Sequence, residues 1–258
     1  MAKVQKIKSR LTQISNVKYE KGLFEAHKTN TPLDGLFSID GGVPKATNWM
    51  VVGDPGVGKS TVTLDIIANA KKTGSKVLFI SAEMNQVDLY LYVKRYPKFG
   101  ELDIFFPQEI EDHECPKQVL EEILSEGYDI VLTDSFIELQ ETIRESGRMT
   151  RNSSEKYLLD LMYKHNLGDN KAKKFTSFLN IQQVNKGGTF VGSNKLKHMT
   201  TGMMEIRFVD ERDQEERYVT FSKNRRGHVG KQMYFDLAAS GDVTYDTESG
   251  VNLTADWV

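Results

Sequence analysis

The 258-residue chain has a single cysteine, Cys115, so it can close no intramolecular disulfide and build no multi-cysteine zinc site. A reducing, cytosolic-type setting is the expectation. Long apolar runs are missing too. The longest span four or five residues, as in Trp49-Met50-Val51-Val52, against the ~20 that a membrane helix needs. No apolar stretch follows the basic start Met1-Ala2-Lys3-Val4-Gln5-Lys6, so neither a secretory signal nor a membrane partner is expected. Repeats and low-complexity linkers are lacking, and with them any strong internal domain boundary. There is no large excess of charge, since 34 basic residues face 36 acidic ones for a net charge of -2. A hydrophobic content of 39% at this length can still bury a real core, which argues against wholesale disorder.

The near-balance of charge hides an asymmetry. Residues 3–28 carry Lys3, Lys6, Lys8, Arg10, Lys18, Lys21 and Lys28 against Glu20 and Glu25. Residues 236–258 carry Asp236, Asp242, Asp246, Glu248 and Asp256 and no Lys or Arg. A polyanion contact and its intramolecular competitor would have this pattern, and so would two solvated termini. The chain divides into a basic N-terminal arm or cap (1–30), expected at a subunit contact, a core (31–237) and an acidic tail (238–258).

Within the core, strand and helix patterns alternate. Apolar strands are predicted at 49–53, 76–81, 104–106, 130–133 and 175–181, and helices at 59–73, 86–96, 117–126 and 154–165. Near the end, 205–209 and 217–221 read as a hairpin and 232–237 as a further strand. The fold class is therefore α/β: a mostly parallel twisted sheet with helices on both faces and a C-terminal antiparallel hairpin extension.

Gly53-Asp54-Pro55-Gly56-Val57-Gly58-Lys59-Ser60 matches G-x-x-x-x-G-K-[ST] in full, with a strand before it and a helix, continuing through Thr61, after it. Glycines let successive N–H groups converge on phosphate oxygens, and the helix start adds its positive end. Lys59 is expected to reach the β- and γ-phosphates, and the Ser60 hydroxyl to hold Mg²⁺. Asp129-Ile130-Val131-Leu132-Thr133-Asp134 ends an apolar strand on a carboxylate suited to the Mg²⁺ side of such a site, although aspartates also end strands as helix caps. Glu83, just past strand 76–81, is placed to orient and deprotonate a water, with a dipole-favoured glutamate at a helix start as the competing reading.

In this order the residues resemble the RecA-like ATPases. Thr31-Pro32-Leu33-Asp34-Gly35-Leu36 with Gly41-Gly42-Val43-Pro44 resembles the entry segment of RadA, DnaB and KaiC relatives. Ser81-Ala82-Glu83-Met84 is similar to the glutamate motif of DnaB-type helicases. Lys223-Asn224-Arg225-Arg226-Gly227 resembles the K-N-R-F-G motif of RadA, departing from it at Arg226, and Gln183 to Gly188 with Lys197-His198-Met199 resembles RadA's second DNA loop. The resemblance covers roughly residues 30–237. RadA's amino-terminal zinc module and carboxy-terminal domain, and DnaB's helical amino-terminal domain, have no counterpart in this sequence. The chain looks like a core-only member similar to compact phage recombinases, expected in a bacterial or phage-infected host cytosol.

The resemblance implies ATP and Mg²⁺ as cofactors and a homo-oligomer, ring or filament, with nucleotide at the subunit interface. It places Lys223 and Arg225 at a neighbour's γ-phosphate, where a cation supplied in trans offsets developing charge. It makes Gln183 a polar sensor, with a merely hydrogen-bonding glutamine as the rival reading. It sets Tyr90 over the adenine, although Tyr90 and Tyr92 both also suit the core. It turns two stretches, 138–153 with Arg144, Arg148 and Arg151, and 185–197 with Lys186, Phe190, Lys195 and Lys197, into loops that hold single-stranded DNA, which mobile surface loops would also explain. The expected function is DNA-dependent, Mg²⁺-dependent ATP hydrolysis in homologous recombination, strand annealing or exchange. A single-strand-binding protein is a candidate partner. A hexameric replicative-type helicase motor and a KaiC-like regulatory ATPase that does not bind DNA stand as alternatives.

Overall fold

The structure is a computed structural model that describes residues 12–111, 113–183, 194–210, 212, 214–238 and 242–247. Two short strands, β1 (Ala26–His27) and β2 (Val43–Pro44), pair antiparallel beside the main sheet. The main sheet is built from β3 (Asn48–Gly53), β4 (Val77–Ser81), β5 (Ile104–Phe105), β6 (Ile130–Asp134), β7 (Ser177–Ile181), β8 (Gly202–Phe208), β9 (Arg217–Asn224), β10 (Gln232–Leu237) and β11 (Val243–Tyr245). Its order is β11-β10-β9-β8-β3-β7-β6-β4-β5. Every pair from β8 to β5 is parallel, and β8 to β11 continue antiparallel. The α/β class and the antiparallel extension read from the sequence are present.

Central strands bury both faces because their side chains alternate between two apolar layers. Trp49, Val51, Phe79, Leu132 and Ile181 face one layer, against Val62, Ile66, Ile67 and Ala70 of the helix Lys59–Lys72. Met50, Val52, Leu78, Ile80, Val131 and Phe178 face the other, against Leu120, Phe136, Leu139 and Leu158 of the helices Pro116–Ser125, Phe136–Ser146 and Arg151–Asn166. The ring of Trp49 also meets Phe37 and Phe221, at centroid distances of 5.4 and 4.9 Å.

Three expectations need correction. Residues 138–153 are not a loop. Two helices occupy them, because Leu139 and Ile143 continue an apolar stripe into the core and Thr150 caps the second helix by accepting from Ser153 N. Strand β7 starts at Ser177 rather than Phe175. The sheet also runs past 237, since β11 pairs with β10 through Asp236↔Thr244. Asp65 anchors that segment: buried on the Lys59–Lys72 helix, it accepts from Lys98 Nζ at 2.6 Å and Tyr245 OH at 3.4 Å. Burial raises its pKa, and Lys98 opposes the rise.

Candidate active site

Parallel pairing places the carboxyl ends of β3, β4, β6 and β7 on one edge of the sheet. Gly53 ends β3, Glu83 follows β4, Asp134 ends β6 and Gln183 follows β7. These four residues line one cavity of about 510 Å³, together with Pro55, Gly56, Gly58, Lys59, Ser60 and Thr61 of the phosphate loop. Residues scattered over 131 positions of sequence thus face one space.

The loop's shape depends on its glycines in two ways. Gly58 has φ 99°, and a Cβ there would lie 2.6 Å from Leu237 Cδ1. Gly53 passes β8 so closely that a Cβ would sit 2.1 Å from the Ile206 carbonyl oxygen. Lys59 Nζ folds back over the loop and donates to Gly53 O at 2.9 Å and Asp54 O at 3.0 Å. Burial lowers the Lys59 pKa, while the charges of Asp134, Asp54 and Glu83 oppose that shift. Asp54 is also held from outside: Arg207 Nη1 approaches its carboxylate at 3.3 Å, while Arg207 Nη2 pairs with Glu205 at 3.1 Å.

Ser60 donates to Asp134 Oδ2 at 2.5 Å. Burial pushes the Asp134 carboxyl up to about 6, Glu83 adds to the rise, and Ser60 and Lys59 counter it. A hydroxyl and a buried carboxylate in contact form the hard oxygen pair that Mg²⁺ takes alongside phosphate oxygens, so these residues fit the ion. Among the described residues no three His, Cys, Asp or Glu side chains gather into a metal cage. The ion would therefore share its coordination with the substrate. Glu83 is exposed at the mouth, its N–H donating to Asp134 O at 3.1 Å, and Asn85 caps the helix Gln86–Arg95 behind it.

Other expected residues lie elsewhere. Tyr90 is 67% exposed and lines a separate apolar groove with Leu64, Phe79 and Leu89. Tyr92 instead lines the phosphate cavity, its hydroxyl 2.5 Å from Thr61 Oγ1. Two residues along a helix turn the side chain by about 200°, so the two tyrosines take nearly opposite sides. Lys223 lies within β9 at the register of Met203, which pairs with Met50 rather than Gly53. It and Arg225 do not line the cavity of their own chain. Lys223 Nζ donates to the carbonyls of Lys197 and His198, at 2.9 and 3.2 Å, at the end of the helix Asn194–Met199.

Arg144 pairs with Glu141 at 2.5 Å and Glu145 at 3.2 Å, while Arg148, Arg151 and Lys197 are exposed. Lys186 and Phe190 lie outside the described residues, as does the side chain of Lys195. Arg207 and Leu237 were missed from sequence, whereas Tyr92 is one of the two tyrosines considered there. Arg207 stands 153 positions from Asp54, and no local spacing signals such a pair.

A family profile described as "ATPase: KaiC" matches residues 27–100. The DNA repair protein RadA of Campylobacter jejuni is 28% identical over 203 residues, covering 79% of this chain and 43% of that protein. RadA of Aquifex aeolicus is 26% identical over 221 residues, covering 84% and 46%. The chain thus spans about half the length of the curated relatives it matches. Among solved structures, a KaiC-like protein from Pyrococcus horikoshii superimposes with TM-score 0.66 at 16% identity, covering 86% of this chain and 99% of that one. The flagellar accessory protein FlaH of Methanocaldococcus jannaschii gives 0.63 at 14%, with the same coverage. At such identities the likeness is one of fold. The chain is thus similar in sequence to RadA proteins and in fold to KaiC-like proteins, with a KaiC-type ATPase profile over residues 27–100.

Proposed function

We propose that the chain hydrolyses ATP at a cleft completed by a second copy of itself, and that turnover is coupled to single-stranded DNA in recombination, annealing or strand exchange. The observation that carries the reading is the convergence of Lys59, Ser60, Asp134, Glu83 and Gln183 on one cavity at the sheet edge. Loop N–H groups and Lys59 hold the β- and γ-phosphates, exchanging the carbonyl contacts of Lys59 for phosphate oxygens. Ser60 and Asp134 would hold Mg²⁺, which would supply charge neutralisation at the phosphate oxygens. Glu83 orients the attacking water and accepts its proton, and Gln183 senses the γ-phosphate position. A neighbour's Lys223 and Arg225 meet the charge that develops on the transferred group.

DNA coupling is supported by the likeness to the DNA repair protein RadA. A second reading, a KaiC-like regulatory ATPase without DNA, is favoured by the profile match and the fold neighbour. Steady-state turnover with and without single-stranded DNA, with negative-stain images of the same samples, separates the two. Stimulation with rings or filaments supports the first reading. Turnover indifferent to oligonucleotide supports the second, and unwinding of a forked duplex with one polarity would make the protein a helicase motor.

A further inference from the structure

The helix Gln86–Arg95 follows Glu83 and stands between two cavities. Glu83, Met84 and Tyr92 line the nucleotide side. Gln86, Leu89, Tyr90 and Val93 line the apolar groove, of about 320 Å³, on the other. No residue of this helix is fully buried, and Val87, Tyr90 and Leu91 are each more than half exposed. A helix that buries so little is held weakly by packing, and its pose depends on whatever else ties it down.

Tyr92 supplies a tie. Its ring lies against Tyr96 and Phe99, at centroid distances of 4.7 and 6.0 Å, and both of those neighbours are buried. So aimed, the Tyr92 hydroxyl meets Thr61 Oγ1 at 2.5 Å. Among the described residues this is the only hydrogen bond from a side chain of the Gln86–Arg95 helix to another element. Thr61 belongs to the phosphate-loop helix, lines the nucleotide cavity and is buried. Burial, chiefly, raises the Tyr92 pKa, so the hydroxyl keeps its proton and serves as a hydrogen-bonding group rather than an acid. Glu83 thus lies between two anchors. On the sheet side its N–H and that of Ala82 donate to Asp134 O, at 3.1 and 2.7 Å. On the other side Asn85 caps the helix by accepting from the N–H groups of Val87 and Asp88, and Tyr92 fixes that helix about two turns further on.

We propose that Tyr92 is a positioning residue for Glu83: its hydroxyl, on Thr61, ties the helix that follows Glu83 to the helix of the phosphate loop, so that carboxylate and phosphate cradle keep one spacing. This role rests on the reading of Glu83 as the base. It differs from a contact to the nucleotide, because the hydroxyl is spent on Thr61 and the ring on Tyr96 and Phe99.

Tyr92→Phe removes the oxygen and keeps the ring. In the full-length chain it is expected to bind ATP with about the wild-type affinity and to lower kcat by roughly 10- to 100-fold, the scale on which a misplaced reacting group acts. Single-turnover hydrolysis of Y92F, E83Q and Y92F/E83Q is expected to show the double variant no slower than E83Q, because the hydroxyl acts through Glu83. Amide exchange in Y92F is expected to quicken across residues 86–95 and to stay at the wild-type level across 59–72, which also shows that the fold is intact. Slow turnover in E83Q beside wild-type kcat in Y92F overturns this role alone. Wild-type turnover in E83Q overturns the base assignment and this role with it. Losses that multiply in the double variant, or weakened ATP binding at unchanged kcat, make Tyr92 act independently of Glu83 and also overturn the role. Wild-type exchange across 86–95 in Y92F does the same.

Discussion

Ser60, Glu83 and Lys59 act on the Asp134 carboxyl, and Asp134 and Glu83 on the Lys59 ammonium, so changes at any of them test the site as a unit. Glu83→Gln keeps the shape of the side chain while removing the carboxylate proposed as the base. It is expected to bind ATP as the wild type does and to lower kcat by roughly 10²–10⁴-fold, read by equilibrium nucleotide binding beside single-turnover hydrolysis. Wild-type turnover would assign the base elsewhere. His27 controls a different property. Burial, chiefly, lowers its pKa from 6.5 to about 4. The neutral ring's contribution to stability is thus fully present above pH 6.5 and is lost as the pH falls toward 4, because the unfolded chain takes up the proton first. Between pH 7 and pH 4.5 the wild type is expected to lose on the order of 5 °C more in Tm than His27→Gln, as measured by thermal denaturation across pH. Equal losses in the two proteins would refute this.

At the level of elements, the segments that carry the family likeness do structural work as well. Asp34 accepts from Thr29 N, Thr29 Oγ1 and Asn30 N, which folds the Thr31–Leu36 turn and buries Leu33 and Leu36. Asn224 Nδ2 donates to Phe37 O at 2.9 Å, and Gly227 packs so close to that carbonyl that a Cβ would stand 2.4 Å away. The turn that presents Arg225 is thereby clamped to the core. Gly202 opens β8 against the Trp49 indole, where a Cβ would lie 2.6 Å from Cδ1 and 3.2 Å from the Lys223 carbonyl. Gly202→Ala is expected to cost about 1–3 kcal/mol through overpacking and to displace Lys223. Chemical denaturation measures the first effect and loss of turnover the second. Unchanged stability would mean that Trp49 repacks freely.

For the whole molecule, the decisive feature is that nucleotide cradle and cationic turn sit apart. Gly53 pairs with Ile206, which pairs with Val219, whereas Lys223 pairs with Met203 at the level of Met50. Three residues of strand, about 10 Å, separate the two levels, and β8 intervenes between the strands. If the cation acts in trans, Arg225→Ala and Lys59→Ala, each inactive alone, are expected to recover part of the wild-type turnover when mixed, since some seams then hold an intact cradle opposite an intact turn. Mixed assembly is verified by differential tagging. No recovery in verified mixed assemblies would make the turn a structural clamp only.

What local order could determine was legible in the sequence. The phosphate loop, the strand before it and the helix after it follow from glycine spacing and from apolar residues at period 2 and then 3.6. Asp134 and Glu83 were legible as residues at strand ends, where parallel sheets expose side chains. The helices across 138–153 were misread because three arginines outweighed the stripe of Leu139 and Ile143. Tertiary structure decided which distant ends became neighbours. Pairing in the order β3-β7-β6-β4 set Gln183 and Glu83 around one cavity. The same pairing carried Arg207 to Asp54 and chose Tyr92 over Tyr90. Covalent spacing specifies each loop and helix, but only long-range strand register specifies what stands opposite it.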